Sequence, residues 1–82
     1  MTTQTKHQVP RAASADAEKF NRIYLIKNVR YLRATYQIRL LAFRAISEGK
    51  QLVLKVPKIC QFDVSLMDLI AANGRSIARE DY

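Results

Sequence analysis

The sequence predicts a mainly α-helical protein with one short β-strand, an α+β fold built as one small domain. Three observations predict this fold. Residues 15–48 contain neither proline nor glycine, many of their apolar side chains recur at spacings of three and four, and residues 51–56 place apolar side chains at alternate positions. The first spacing is typical of one face of a helix and the second of a strand. With 82 residues, the chain is long enough for one domain and too short for several.

The first predicted element is one long helix, which begins after a polar N-terminal segment. Residues 1–14 are small and polar, so we expect them to form a flexible tail, and residues 15–82 form the domain. Ser14 is a suitable N-cap, and two acids follow in the first turn, where the helix dipole favours negative charge. With no breaker before Gly49, the helix is expected to run to that residue.

Two shorter elements are predicted after the long helix. Gln51–Val56 is expected to form a strand whose alternate apolar side chains share one face. Asp63 or Ser65 can cap a short helix over 66–72. The last residues, 75–82, are expected to add a final turn.

The net charge is concentrated on the predicted long helix. The chain has 14 basic and 7 acidic side chains, a formal charge of +7, and residues 19–47 alone hold seven basic residues and no acid. Arg22, Arg33 and Arg44 are spaced by eleven, almost three helical turns, so on a helix they would lie in one line. Lys19 and Arg30 would flank that line. These five residues are the candidate binding site.

The candidate site predicts a partner with negative charge, and more than one class of partner fits. Arginine is suited to bidentate contact with phosphate, so nucleic acid is slightly favoured, as for an accessory or regulatory DNA-binding protein. An acidic protein surface fits the same charges. The arginines could also form a solvated helix face, although such faces usually mix signs and like charges three residues apart repel each other.

An apolar stripe beside the basic line predicts a protein interface. One long helix with this much apolar surface cannot be covered by one strand and one short helix, so we expect a homo-oligomer. The alternative function is an adaptor or small subunit that docks through the stripe. The interface residues predicted on the helix are Leu25, Val29, Leu32, Tyr36, Leu40, Phe43 and Ile46, and those on the strand are Leu52 and Leu54.

An enzyme is not expected from this sequence. Its single histidine, His7, lies in the predicted tail, and no nucleophile–base pair, phosphate loop or metal-ligand spacing is present, so neither catalytic residues nor cofactors are predicted. Cys60 is the only cysteine, which excludes an intrachain disulfide and suits a small buried side chain. Basic residues interrupt every apolar run, so no membrane span is predicted, and a cytoplasmic location is expected.

Overall fold

Residues 15–82 are described by the computed structural model, and within them six strands and two helices form a two-layer α/β unit. The strands, in chain order, are β1 (Ala17–Lys19), β2 (Arg22–Ile26), β3 (Tyr31–Leu32), β4 (Gln51–Val56), β5 (Gln61–Phe62) and β6 (Ile77–Asp81). The helices are α1 (Tyr36–Glu48), between β3 and β4, and α2 (Val64–Ala72), between β5 and β6.

The main sheet has four strands in the order β1-β2-β4-β6. β1 and β2 form an antiparallel hairpin, whereas β2, β4 and β6 are parallel and are joined by crossovers that contain α1 and α2. The short strands β3 and β5 pair with each other in parallel, after β2 and β4 have ended. The amino ends of β2, β4 and β6 therefore meet at one edge of the sheet, opposite the small β3–β5 sheet.

One face of the sheet packs against the helices and forms the core. Alternate side chains of β2, β4 and β6 point to this face, as the twofold period of a strand requires. The buried sheet residues are Ile23, Leu25, Leu52, Leu54, Val56 and Ile77, and they pack with Ile38, Leu41, Ala42 and Ala45 of α1 and Leu66 of α2. Each of these is almost inaccessible to solvent, and burial of such side chains is the main stabilising contribution to the fold.

The ends of α1 are set by local chemistry. The Thr35 hydroxyl accepts a hydrogen bond from the Ile38 N–H at 3.2 Å, which satisfies one of the free donors of the first turn. At the other end, Gly49 has a left-handed φ of 68°, and its N–H donates to the Ile46 carbonyl while the Lys50 N–H donates to the Ala45 carbonyl at 2.8 Å. This pair of bonds is a Schellman motif, which glycine forms without a Cβ penalty.

α2 begins at a cap that also ties it to the rest of the chain. The Asp63 carboxylate accepts a hydrogen bond from the Ser65 N–H at 3.0 Å. The Ser65 hydroxyl in turn accepts from the Ala34 N–H at 3.1 Å, which joins the start of α2 to the segment that precedes α1.

The predicted helix over residues 15–48 is wrong, because residues 17–32 contain three strands and only Tyr36–Glu48 is helical. In β2 the burial alternates: Ile23 and Leu25 are buried, whereas Arg22 and Ile26 are exposed. Four consecutive apolar side chains, at 23–26, satisfy a helical period as well as a strand period, and no glycine or proline marks the turn at Phe20. The sequence therefore favours the long helix because the apolar spacing fits a helix and no breaker is visible.

The fold class follows from the same correction: the protein is mixed α/β and not mainly helical. The expected final turn is also wrong, since Ile77–Asp81 forms an edge strand beside β4. The strand Gln51–Val56 is confirmed at its predicted bounds, and so is the end of α1 at Gly49. Of the two predicted caps of α2, Asp63 is the one observed, and α2 begins at Val64, two residues before its predicted start. The predicted tail, residues 1–14, lies outside the described residues.

Candidate functional site

A basic cleft lies at the edge where the parallel strands begin. Its volume is about 270 Å³, and three of the side chains around it, Arg22, Lys50 and Arg75, are cationic. Arg22 is the first residue of β2, Lys50 directly precedes β4, and Arg75 lies two residues before β6. The remaining lining residues are Asn21, Gly49 and Gln51.

Backbone hydrogen bonds hold the three segments of the cleft together. The Gln51 N–H donates to the Asn21 carbonyl at 2.9 Å, and the Leu52 N–H donates to the Ser76 carbonyl at 2.7 Å. The Gln51 side-chain amide also donates to the Arg75 carbonyl, at 3.5 Å. The three cations therefore project from adjoining segments of a rigid sheet edge, which favours preorganised binding.

The cations of the cleft differ in how far their charge is neutralised. Within residues 15–82, Arg22 and Arg75 make no ion pair. Lys50 contacts Glu48 at 3.0 Å and Glu18 at 3.4 Å, and the hydrogen bond to Glu48 is the main cause that raises the pKa of Lys50. The two arginines thus supply most of the uncompensated charge.

The β1–β2 hairpin adds a fourth cation beside the cleft. Lys19 and Arg22 are cross-strand partners, so their side chains leave the sheet on the same face. Like charges directly opposite each other destabilise a strand pair. An anion bound between them would remove this repulsion.

Phe20 stands at the tip of the same hairpin. Its side chain is 94% exposed, the highest exposure among the large apolar residues of the described chain. Its φ of 54° lies in the left-handed region, which an aromatic residue rarely adopts. Phe20 directly precedes Asn21 and Arg22 of the cleft wall.

The five predicted binding residues do not form one line. Lys19 and Arg22 lie together on the β1–β2 hairpin, next to the cleft. Arg44 lies on α1 and contacts Glu18 at 2.6 Å and Glu48 at 3.2 Å. The hydrogen bond to Glu18 raises the pKa of Arg44, and the same bond lowers the pKa of Glu18, so this charge is neutralised within the chain.

Arg30 and Arg33 flank β3, beyond the carboxyl ends of the main strands. Between them, the Tyr31 hydroxyl donates a hydrogen bond to the Asp63 carboxylate. This bond is the largest cause that lowers the pKa of Asp63, to about 2, and that raises the pKa of Tyr31. The eleven-residue spacing aligns Arg22, Arg33 and Arg44 only on a helix, and the fold separates them.

The predicted interface residues divide into two groups and one outlier. Four of them belong to the core of the chain itself, where no partner can contact them: Leu25, Leu32, Leu52 and Leu54. Four others lie on α1, away from its buried side: Tyr36, Leu40, Phe43 and Ile46. Val29 is an exposed loop residue between β2 and β3.

Sequence reasoning missed Phe20, Lys50 and Arg75. The two cations lie 25 residues apart in the chain, and only the β4–β6 pairing brings them to one edge. The one local signal near Phe20 is Asn21, because asparagine is frequent in turns.

The second face of the sheet carries no helix in the described part of the chain. Tyr24 lies on this face with Lys55, whose ammonium is 5.9 Å from the centre of the Tyr24 ring. Lys55 also contacts Glu80 at 3.2 Å. These three residues line a shallow depression of about 280 Å³, which continues to Lys19.

Comparison with protein-family models, with curated proteins and with solved structures found no match. Among residues 15–82, no group of three or more histidine, cysteine or acidic side chains is placed to hold a metal ion. Neither described helix is long and apolar enough to cross a membrane.

Proposed function

We propose that the protein binds nucleic acid, with the phosphate backbone seated in the basic cleft. The observation that carries this proposal is the convergence of Arg22, Lys50 and Arg75 on one cleft at a rigid sheet edge. Phosphate contacts from arginine and lysine supply most of the affinity of proteins that bind nucleic acid without sequence preference.

The surplus of positive charge supports this proposal. Among residues 15–82, ion pairs already hold four of the seven acidic side chains: Glu18, Glu48, Glu80 and Asp81. The two arginines of the cleft are outside these pairs. A guanidinium offers a planar fork of donors that matches two phosphate oxygens, which a lysine ammonium does not. A nucleic-acid backbone supplies such phosphates in a row.

The proposal makes a direct prediction for the cleft arginines. A variant with both Arg22→Gln and Arg75→Gln should bind a fluorescein-labelled oligonucleotide more weakly, and the slope of log K against log salt should fall by about one for each phosphate that the variant no longer binds. Fluorescence anisotropy at several salt concentrations measures both quantities. Neither arginine belongs to the buried core, so the variant should remain folded.

A matched control separates the cleft from the net charge. The double variant Lys27→Gln and Lys58→Gln removes two positive charges at the opposite end of the sheet. It should retain the salt slope of the wild type more closely than the cleft variant does. Equal effects of the two variants would contradict a localised site, and no binding by the wild type at low salt would contradict the function itself.

A second candidate function is protein docking through the outer face of α1, and a second copy of this chain is the partner we propose. Tyr36 and Phe43 are 65% and 70% exposed, and Leu40 lies between them at helical spacing. Two such helices related by a twofold axis would cover one another's apolar face. The homo-oligomer and the cytoplasmic location predicted from the sequence both stay predictions.

Sedimentation equilibrium tests the second candidate. We expect the wild type to have about twice the mass of the 9.4 kDa chain, and Phe43→Gln to shift it towards the monomer. Val64→Gln replaces an exposed apolar side chain on α2 and should leave the mass unchanged. A folded wild-type monomer at high concentration would contradict this candidate and leave the nucleic-acid proposal standing.

A further inference from the structure

We infer that the basic cleft takes single-stranded nucleic acid, with one base stacked on Phe20 while neighbouring phosphates contact the cations. This inference rests on the proposed function and adds the class of nucleic acid and the residue that selects it. Three observations carry it: the exposure of Phe20, its backbone conformation and its position beside the cleft.

The exposure of Phe20 means that its ring contributes little to the core. At 94% exposure it makes almost no packing contact within the described chain, unlike the sheet residues that follow it. A ring in this position has both faces open to a ligand. Stacking on exposed aromatic rings is how proteins bind the unpaired bases of single strands.

The backbone conformation at Phe20 is one that other residues adopt more easily than phenylalanine. Phe20 is the first central residue of a two-residue hairpin turn, between Lys19 and Arg22. Within residues 15–82 Phe20 is the only non-glycine residue with a positive φ, so the turn has a positive φ at its first central position only, where glycine is favoured. A phenylalanine at φ 54° therefore carries a local cost in stability that its contacts in the chain do not offset.

The position of Phe20 suits one nucleotide unit. Lys19 precedes it, and Asn21 and Arg22 follow it into the cleft wall. A base could stack on the Phe20 ring while the phosphate of the same nucleotide contacts the adjacent cations, all within one hairpin. In a duplex the bases are paired and stacked on each other, so only the phosphate contacts are available.

The test compares three substitutions at Phe20 on two probes of equal length. The probes are a labelled mixed-sequence single strand of about twelve nucleotides and its duplex, measured by fluorescence anisotropy over the same series of salt concentrations. Phe20→Ala should weaken single-strand binding roughly 5- to 150-fold, the range expected for one stacked base, and leave duplex binding and the salt slope unchanged. Phe20→Tyr keeps a ring and should bind the single strand as the wild type does.

Phe20→Gly separates binding from folding. Glycine adopts a positive φ at this position without a Cβ penalty, so this variant should have a higher melting temperature than the wild type and yet bind the single strand as weakly as Phe20→Ala. Weaker binding by a more stable protein cannot be attributed to unfolding.

The outcomes distinguish this inference from the function on which it rests. If the wild type binds both probes equally and Phe20→Ala changes neither, the inference is wrong and the cleft remains a general phosphate site. If the wild type binds neither probe at low salt, the proposed function is wrong. If Phe20→Ala weakens both probes equally, Phe20 acts without selecting a single strand, which also overturns the inference.

Discussion

Asp63 links the start of α2 to β3 through one carboxylate. One oxygen accepts the Ser65 N–H at the helix N-terminus, and the other accepts the Tyr31 hydroxyl. Both bonds favour the ionised carboxylate. The bond from Tyr31 is the largest cause of the lowered pKa of Asp63, and with the contributions of the Ser65 side chain and of the Ser65 and Val64 backbone it brings that pKa to about 2, below its usual 3.8. Because the folded-state pKa is lower than the unfolded one, ionised Asp63 stabilises the fold above pH 4. This contribution is lost as the pH falls from about 4 to about 2.

We therefore predict that Asp63→Asn loses less stability than the wild type between pH 5 and pH 2. Asparagine can still cap α2, but it removes the group whose protonation is linked to unfolding. Melting temperatures measured by circular dichroism across this range give the two slopes. The slope of the variant should be smaller but not zero, since the pKa values of Glu18 and Glu48 are also lowered by their cationic partners.

Asp68→Asn is the matched control for Asp63→Asn. Asp68 is an exposed residue of the same helix and makes no ion pair within residues 15–82. Its removal should leave the slope of the wild type nearly unchanged. Equal slopes for Asp63→Asn and the wild type would show that the two hydrogen bonds do not hold the carboxylate in its ionised form.

The sequence correctly predicts those elements whose ends are determined by residues close to them in the chain. Gly49 ends α1 because its own backbone adopts φ 68°, and Asp63 begins α2 through a bond to the residue two positions later. The strand Gln51–Val56 is predicted because glycine precedes it, proline follows it and its apolar side chains alternate. In each case the deciding residue lies within a few positions of the element.

β2 could not be predicted in the same way because its partner is remote. Ile23 lies beside Leu52 in the sheet, 29 residues later in the chain, and only this pairing makes a strand of a segment that also fits a helix. The start of α1 did carry a local signal, since Thr35 is a suitable N-cap. An unbroken helix through residues 15–48 leaves that threonine without a role.

The candidate site was only partly predictable, because some of its residues are brought together by pairing between remote segments. Lys19 and Arg22 are predicted from their charge, and the hairpin keeps them together at the cleft. Lys50 and Arg75 join them only through parallel pairing of β4 with β2 and β6, which the pattern of charge along the chain does not indicate. Arg44 is the opposite case, a predicted binding residue that the fold does not leave free to bind. Glu18 lies 26 residues before it in the chain and forms an ion pair with it.

At the scale of the whole molecule, the helices of residues 15–82 cover one face of the main sheet. Parallel sheets are usually covered on both faces. Here α1 and α2 pack on the side of Leu52, Leu54 and Val56, and Val53 points to the other side, beside Tyr24. Val53 is 5% exposed but is not part of the helix-packed core. The two faces of β4 should therefore respond differently to the same change.

The prediction is that Val56→Thr destabilises the protein more than Val53→Thr does. Threonine has nearly the shape of valine, so both variants leave packing volume intact and introduce only a hydroxyl. At Val56, which is fully buried against the helix layer, the hydroxyl loses its water and should cost about 1–3 kcal/mol. Val53 retains 5% exposure on the face without a helix, so its hydroxyl should keep more contact with water than one at Val56, and a smaller cost is expected.

Urea unfolding followed by circular dichroism measures both costs, and equal m-values would show that the variants differ from the wild type only in stability. The comparison is internally matched, because the two valines belong to one strand, undergo the same substitution and differ in the face to which they point. A cost at Val53 as large as that at Val56 would contradict the prediction, because a hydroxyl at Val53 would then have no more contact with water than one at Val56.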